Sequence, residues 1–158
     1  MSRFLIFTCC VVLFTCTGCD KINLFERIQT IKGGNWDKQQ EPSFTFDISD
    51  TTRDYRIYVL VRHTNEYAYR NIWLNIGLQM PGDTMKRQNF EIPLATADRW
   101  LGKGMDDIYE YRASLFPQPV HFSKIGPVTF SLKQIMRLNP LPGVLQAGIR
   151  VEAMPVTN

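Results

Sequence analysis

Three stretches of this chain alternate apolar and polar side chains with a period of two. Tyr55-Ile57-Val59-Val61 interleave with Arg56-Tyr58-Leu60-Arg62, and Ile72-Leu74-Ile76-Leu78-Met80 with Trp73-Asn75-Gly77-Gln79. Leu145-Ala147-Ile149-Val151 interleave with Gln146-Gly148-Arg150-Glu152. Successive side chains of a strand point to opposite faces, so each stretch predicts a half-buried β-strand. Shorter strands are predicted over residues 44–48, 85–92, 108–115 and 128–132. Turn residues separate them, among them Pro81-Gly82-Asp83, Pro117-Gln118-Pro119 and Asn139-Pro140-Leu141-Pro142-Gly143. Residues 80–87 read as a tight hairpin, with Pro81-Gly82 at the central positions of a type II turn. Helical spacing is confined to two short turns, 96–101 and 132–138. Short strands with little helical pattern predict an antiparallel β-sandwich of about seven to eight strands, immunoglobulin-like or jelly-roll in type.

The amino-terminal pattern is different. Arg3 is followed by an apolar or sulfur-bearing run over residues 4–14, broken only by Thr8. A short cationic start and a run of about 11 such residues match a secretory signal peptide. The run is too short to cross a bilayer, which takes ~20 apolar residues, and Asp20-Lys21 closes it. All four cysteines (Cys9, Cys10, Cys16 and Cys19) lie in this region. Thr17-Gly18-Cys19 looks like a lipobox, where a lipoprotein signal peptidase cuts and the cysteine thiol receives diacylglycerol. Cys16 departs from the leucine usual at its position. An ordinary secretory cut near Gly18 would instead leave Cys19 free. The lipobox reading divides the chain into a signal peptide (1–18), a lipidated amino terminus and tether (19–42) and a sandwich domain (43–158), with Trp36 packing at the tether's end. Cys9, Cys10 and Cys16 depart with the signal, so the mature fold must hold by core packing, without disulfides. A multiply acylated Cys19 would anchor firmly. In some envelope systems Asp at position 20 would retain a lipoprotein at the inner membrane. The expected place is nonetheless the periplasmic face of the outer membrane, since a surface-export signal would show several acids after the cysteine.

Removal of Arg3 takes the formal charge from +3 to +2, and the remaining bases are scattered. This balance makes no electrostatic case for nucleic acid. His63 and His121 lack any metal-ligand spacing and read as structural or solvent-facing. Asp107 and Glu110 would point to opposite faces of one strand, unlike a paired-carboxylate site. Gly102 and Gly104 read as turn glycines, because no Lys-Ser/Thr pair or long helix follows them. Ser114, Ser123 and Ser131 lack a nucleophile-elbow context. The expectation is therefore a protein without catalytic residues, metal, cofactor or small-molecule substrate. Tyr58 and Trp73 sit opposite the aliphatic rows of their strands. With Trp100 they are the candidate surface for a partner protein or a glycan.

Read in order, the chain contains Trp36, Phe44-Thr45-Phe46-Asp47-Ile48 before Asp50-Thr51, and Tyr69-Arg70-Asn71-Ile72-Trp73-Leu74. There follow Trp100-Leu101-Gly102-Lys103-Gly104-Met105-Asp106-Asp107-Ile108, Gly126, Phe130, Gln134, Met136-Arg137, Leu141-Pro142-Gly143-Val144 and Gly148-Ile149-Arg150-Val151. Together with the lipobox, this series resembles the GldH family of gliding motility lipoproteins over nearly the whole mature chain. The resemblance implies a lipid-anchored envelope protein required for surface gliding and tied to type IX secretion. Its partners would be other gliding and secretion envelope proteins, and its membrane attachment the lipid anchor. It carries no catalytic or ligand residues across. An envelope carbohydrate-binding sandwich is the alternative.

Overall fold

A computed structural model describes residues 24–155. Twelve strands run along them: β1 (Leu24–Thr30), β2 (Asn35–Trp36), β3 (Ser43–Ile48), β4 (Asp54–Thr64), β5 (Asn71–Gln79), β6 (Lys86–Pro93), β7 (Lys103–Met105), β8 (Ile108–Ser114), β9 (Val120–His121), β10 (Gly126–Gln134), β11 (Leu141–Pro142) and β12 (Val144–Ala153). The larger sheet has the order β1-β12-β4-β8-β7, with β9 paired to the start of β4. The smaller has the order β3-β10-β5-β6. All pairs are antiparallel. The two sheets pack face to face as the predicted sandwich.

The three alternating stretches became the strands that carry most of the core. Tyr55, Ile57, Val59 and Val61 of β4 are buried, as are Ile72, Leu74 and Ile76 of β5. Val128, Phe130 and Leu132 of β10 and Phe44, Phe46 and Ile48 of β3 meet them from the smaller sheet. Rings join the sheets at both margins. Phe25 of β1 lies 5.1 Å from Phe46 of β3, and Phe90 of β6 meets Phe116 edge-on at 5.8 Å. A bulge in β12 between Val144 and Gln146 makes Leu145 the extra residue. Val144, rather than Leu145, then takes the inward place opposite His63. The hairpin turn forms as expected. Gly82 has φ 78°, and the Asp83 amide donates to the Met80 carbonyl at 3.0 Å.

Two expectations need correction. Neither 96–101 nor 132–138 is helical. In the first, the Thr96 hydroxyl accepts from the Asp98 and Arg99 amides, and the Thr96 amide donates to the Arg99 carbonyl at 2.8 Å. Such a hydroxyl competes with helical bonding and closes a tight loop instead. In the second, β10 continues through Leu132 to Gln134. The Gln134 side chain then holds the turn, accepting from the Met136 amide at 2.9 Å and donating to the Leu138 carbonyl at 3.2 Å.

The segment expected as a tether (19–42) belongs, from Leu24 onward, to the packed body. Its first seven described residues are β1, registered against β12 from Leu24↔Glu152 to Thr30↔Gln146. Trp36 does pack, and is fully buried in the body; its indole N–H donates to the Gln40 carbonyl at 2.8 Å. The Gln134 amide also reaches the Trp36 carbonyl, at 3.1 Å. β1 shows no clean alternation because it is an edge strand: Arg27 and Gln29 share the inward row with Phe25 yet stand exposed. Whether Cys19 is lipidated lies outside the described residues, as does the whole of 1–18.

Removing a fully buried indole leaves a cavity as well as lost transfer energy. Trp36→Ala should therefore cost about 3–5 kcal/mol in urea unfolding of the body. A change below ~1 kcal/mol would show that 31–42 is dispensable packing.

Candidate functional site

The sandwich presents three distinct surfaces: two outward sheet faces and the end where β4 finishes. The outward row of β4 carries Arg56, Tyr58, Leu60 and Arg62. The register brings Glu152, Arg150, Gly148 and Gln146 beside them on one side, and Ser114, Arg112 and Glu110 on the other. Among the described residues the charged members form one chain of contacts except Arg56, whose Nε is buried without a hydrogen-bond partner. Arg150 binds Glu152 at 2.5 Å and Glu26 at 2.6 Å; Arg112 reaches Glu26 at 4.0 Å and Glu110 at 3.5 Å; Arg62 binds Glu110 at 2.6 Å. Bonding from Glu26 raises the Arg150 pKa further, so it stays charged. Arg112 sits on β8 and Glu26 on β1, with two strands between them, so both side chains must lie flat over Leu60 and Gly148. That explains why Leu60 is buried although it points outward. Exposed pairs contribute little singly. Their effect here is to fill the face with mutually satisfied charge.

The outward face of the smaller sheet is different. Asn75 donates to Asn89 at 2.7 Å, Asn71 to Glu91 at 2.5 Å, and the Thr45 and Thr129 hydroxyls pair at 2.8 Å. Arg87 bridges Asn75 at 3.1 Å and Glu41 at 2.5 Å, a bond that pulls the Glu41 carboxyl below its ordinary pKa. Within this polar lattice Trp73 is 40% exposed. Ile135, whose amide donates to the Trp73 carbonyl at 3.0 Å, is exposed beside it.

The third surface lies past the end of β4. Trp100 packs on the buried His63 ring at 4.5 Å and near Tyr109 at 6.0 Å, and its indole N–H donates to the Asn65 side chain at 2.9 Å. A groove of about 600 Å³ runs beside it, lined by Asn65, Arg70, residues 95–100 and Tyr109. Among the described residues, neither Arg70 nor Arg99 makes an ion pair. The Trp-Leu-Gly-Lys-Gly stretch is thereby accounted for without any phosphate. Gly102 has φ 85°, and a side chain there would strike the Glu110 carbonyl, while the Tyr109 ring covers Gly104.

Tyr58, Trp73 and Trp100 therefore do not form one platform. Tyr58 and Trp73 project from opposite sheets in opposite directions, and Trp100 sits at the end between them. The acids are also separated, although not as the two faces of one strand. Glu110 belongs to the charge ladder, and Asp107 is in the β7–β8 turn, its carbonyl accepting from the Asn65 amide at 2.7 Å. His121 is exposed and pairs with Asp54 at 3.1 Å. Among the described residues no three His, Cys, Asp or Glu side chains converge as a metal site. The sequence reading missed the charge ladder and the groove, because both depend on strand order and loop path. The only available signal was the frequency of Arg and Glu on the minority rows of the alternating stretches.

His63 is the one histidine enclosed by the fold. Its Nδ1 lies 2.9 Å from the Thr64 carbonyl and its Nε2 has no partner. Burial lowers its pKa, with the Thr64 bond working weakly in the other direction.

Fold and surfaces together define a class: a two-sheet antiparallel β-sandwich with two polar outward faces and a groove at one end. The family profile described as GldH lipoprotein matches residues 23–151, and the chain belongs to that family. A gliding motility lipoprotein GldH homolog of Christiangramia forsetii is 26% identical, over 96% of both chains. The gliding motility lipoprotein GldH of Flavobacterium johnsoniae is 27% identical, over 90% of both. Among solved structures, the Cry4Aa toxin of Bacillus thuringiensis aligns with 87% of this chain and 22% of its own at 12% identity, with a TM-score of 0.42, too distant to bear on either fold or function.

A histidine kept neutral by burial gives stability that is complete above the free-imidazole pKa of ~6.5 and is lost as pH falls below it. Wild type should lose stability relative to His63→Phe between about pH 7.5 and 5.5, by up to ~1.4 kcal/mol per pH unit. Parallel denaturant curves across that range would contradict the assignment.

Proposed function

We propose that this chain is a non-enzymatic, lipid-anchored envelope protein of the gliding motility apparatus, associated with type IX secretion and working through protein–protein contacts. One observation carries the reading: relatives described as gliding motility lipoproteins align with nearly the entire chain. The alignment with the Christiangramia forsetii relative leaves only 4% of this chain uncovered, so it includes the region of the Cys19 lipobox. In this reading Cys19 carries the acyl chains, the body faces the periplasm from the outer membrane, and the partners are other envelope proteins of the gliding and secretion machinery. The groove beside Trp100 is the surface best suited to such contacts. It joins a partly exposed indole to two unpaired guanidinium groups, and aromatic and arginine side chains dominate the energetics of protein interfaces.

A second reading, glycan binding, is favoured by Trp73. Its exposed ring lies among Asn75, Asn89 and Glu91, a combination of flat apolar surface and hydrogen-bonding groups suited to a sugar.

In a host that glides, deletion should abolish spreading and wild type should restore it, whereas Cys19→Ala should not. Arg70→Glu with Arg99→Glu, both on the surface, should leave protein levels normal but reduce spreading and co-purification of envelope proteins. Full activity of that double variant would remove the groove from the mechanism. Saccharide binding on a glycan array that Trp73→Ala abolishes would favour the second reading.

A further inference from the structure

Strand direction sorts the body into two ends. At one end lie Leu24, the start of β4 at Asp54, the β9 pair His121↔Asp54, the end of β12 at Ala153 and the Ile48↔Gly126 pair. At the other lie Thr64, Ile108, Met105 and the Trp100 groove. β4 covers 11 residues, so the two ends are separated by roughly 33 Å at ~3.3 Å per residue.

Resting on acylation at Cys19, the chain outside the described body is very short. Cys19 to Leu24 is five residue steps, which can reach at most ~18 Å in any conformation. That is about half the length of β4. The far end therefore cannot be brought to the leaflet while Leu24 stays paired with Glu152. Two ways of resting remain, on a side or on the near end. The larger sheet's outward face, beside β1, exposes Ile28, but laying that face on lipid would also strip water from the Glu26–Arg112–Glu110 ladder, which is costly for charge. The near end is better suited. Ile125 is 68% exposed there, between β9 and the start of β10. The charges described there include two matched pairs, Arg53 with Asp50 and His121 with Asp54.

We infer that the lipid leaflet is the occupant of this end: the body stands on Ile125 and the β9 loop, with the Trp100 groove facing away from the membrane. Contact is made by apolar side chains and the leash rather than by attraction to anionic headgroups. The groove is then carried about 30 Å or more above the lipid, where a second envelope protein can reach it.

The test uses the full-length acylated protein in phosphatidylethanolamine–phosphatidylglycerol vesicles containing spin-labelled lipid. With Cys19 acylated and the other cysteines removed with the signal, Ile125→Cys and Met105→Cys each provide one labelling site for a fluorescent probe. Both positions are largely exposed, so neither change threatens the fold. Emission at 125 should shift to the blue and be quenched by the lipid-borne spin label, in low and high salt alike. Emission at 105 should be quenched only by an aqueous reagent. Flotation with the vesicles while 105 is quenched as strongly as 125, or while neither is quenched, would overturn the orientation. A mature chain without acyl mass that fails to float would overturn the anchor itself, and this inference with it.

Discussion

The two-sided pairing of β4 is the constraint on which the rest of the molecule depends. β12 lies on one side of it and β8 on the other, and both ladders run through the middle of the larger sheet. Its inward row, Ile57, Val59 and Val61, is almost completely removed from water, and each such side chain contributes about 1.5–3 kcal/mol when fully buried. Its outward row supplies Arg62 to the ladder and Leu60 to the surface beneath it. Its two ends supply the Asp54–His121 contact and the His63 ring under Trp100. One strand therefore sets the core, the chemistry of a face and the direction in which the molecule points.

The two faces of the sandwich solve the same problem differently. A half-buried sheet must present something hydrated to solvent. The larger sheet does so with alternating charges that satisfy one another across four strands, and the smaller with side-chain amides, hydroxyls and a single bridging guanidinium. Neither leaves an extended apolar surface. Among the described residues the large exposed apolar side chains are scattered: Trp73 and Ile135 on one face, Ile28 on the other, Met105 and Ile108 at the β7–β8 hairpin, Leu138 past the end of β10, and Ile125 at the opposite end. Under the proposed reading, docking is thus confined to small, chemically distinct places.

Much of the fold could be read directly from the chain. Strands buried on one face print that burial as alternation, which is why β4, β5 and β12 were evident and why the Pro81-Gly82 turn could be placed. The strand β1 could not be read this way, because only Phe25 on its inward row is covered, while Arg27 and Gln29 are exposed. The loop at 96–101 looked helical because nothing in the spacing reveals that the Thr96 hydroxyl takes up the amides of Asp98 and Arg99. The alternation places Tyr58 and Trp73 off the aliphatic rows of their strands, and Trp100 lies outside any alternating stretch. Their separation onto three surfaces was hidden because strand order decides it. The family resemblance was legible from the order of the motifs alone, and the match over residues 23–151 bears it out.

The pairing of the first described strand with the last has a consequence for assembly. Leu24 cannot meet Glu152 until almost every intervening residue has been delivered, so the larger sheet closes late and its contacts are strongly non-local. Folds dominated by such contacts form slowly. A chain secreted amino terminus first would consequently spend time with the place of β12 between β1 and β4 empty, leaving both strands open to pairing with any extended segment nearby. Holding the starting end at a fixed spot keeps β1 close to that vacancy throughout, so attachment would favour the chain's own strand over a stranger's.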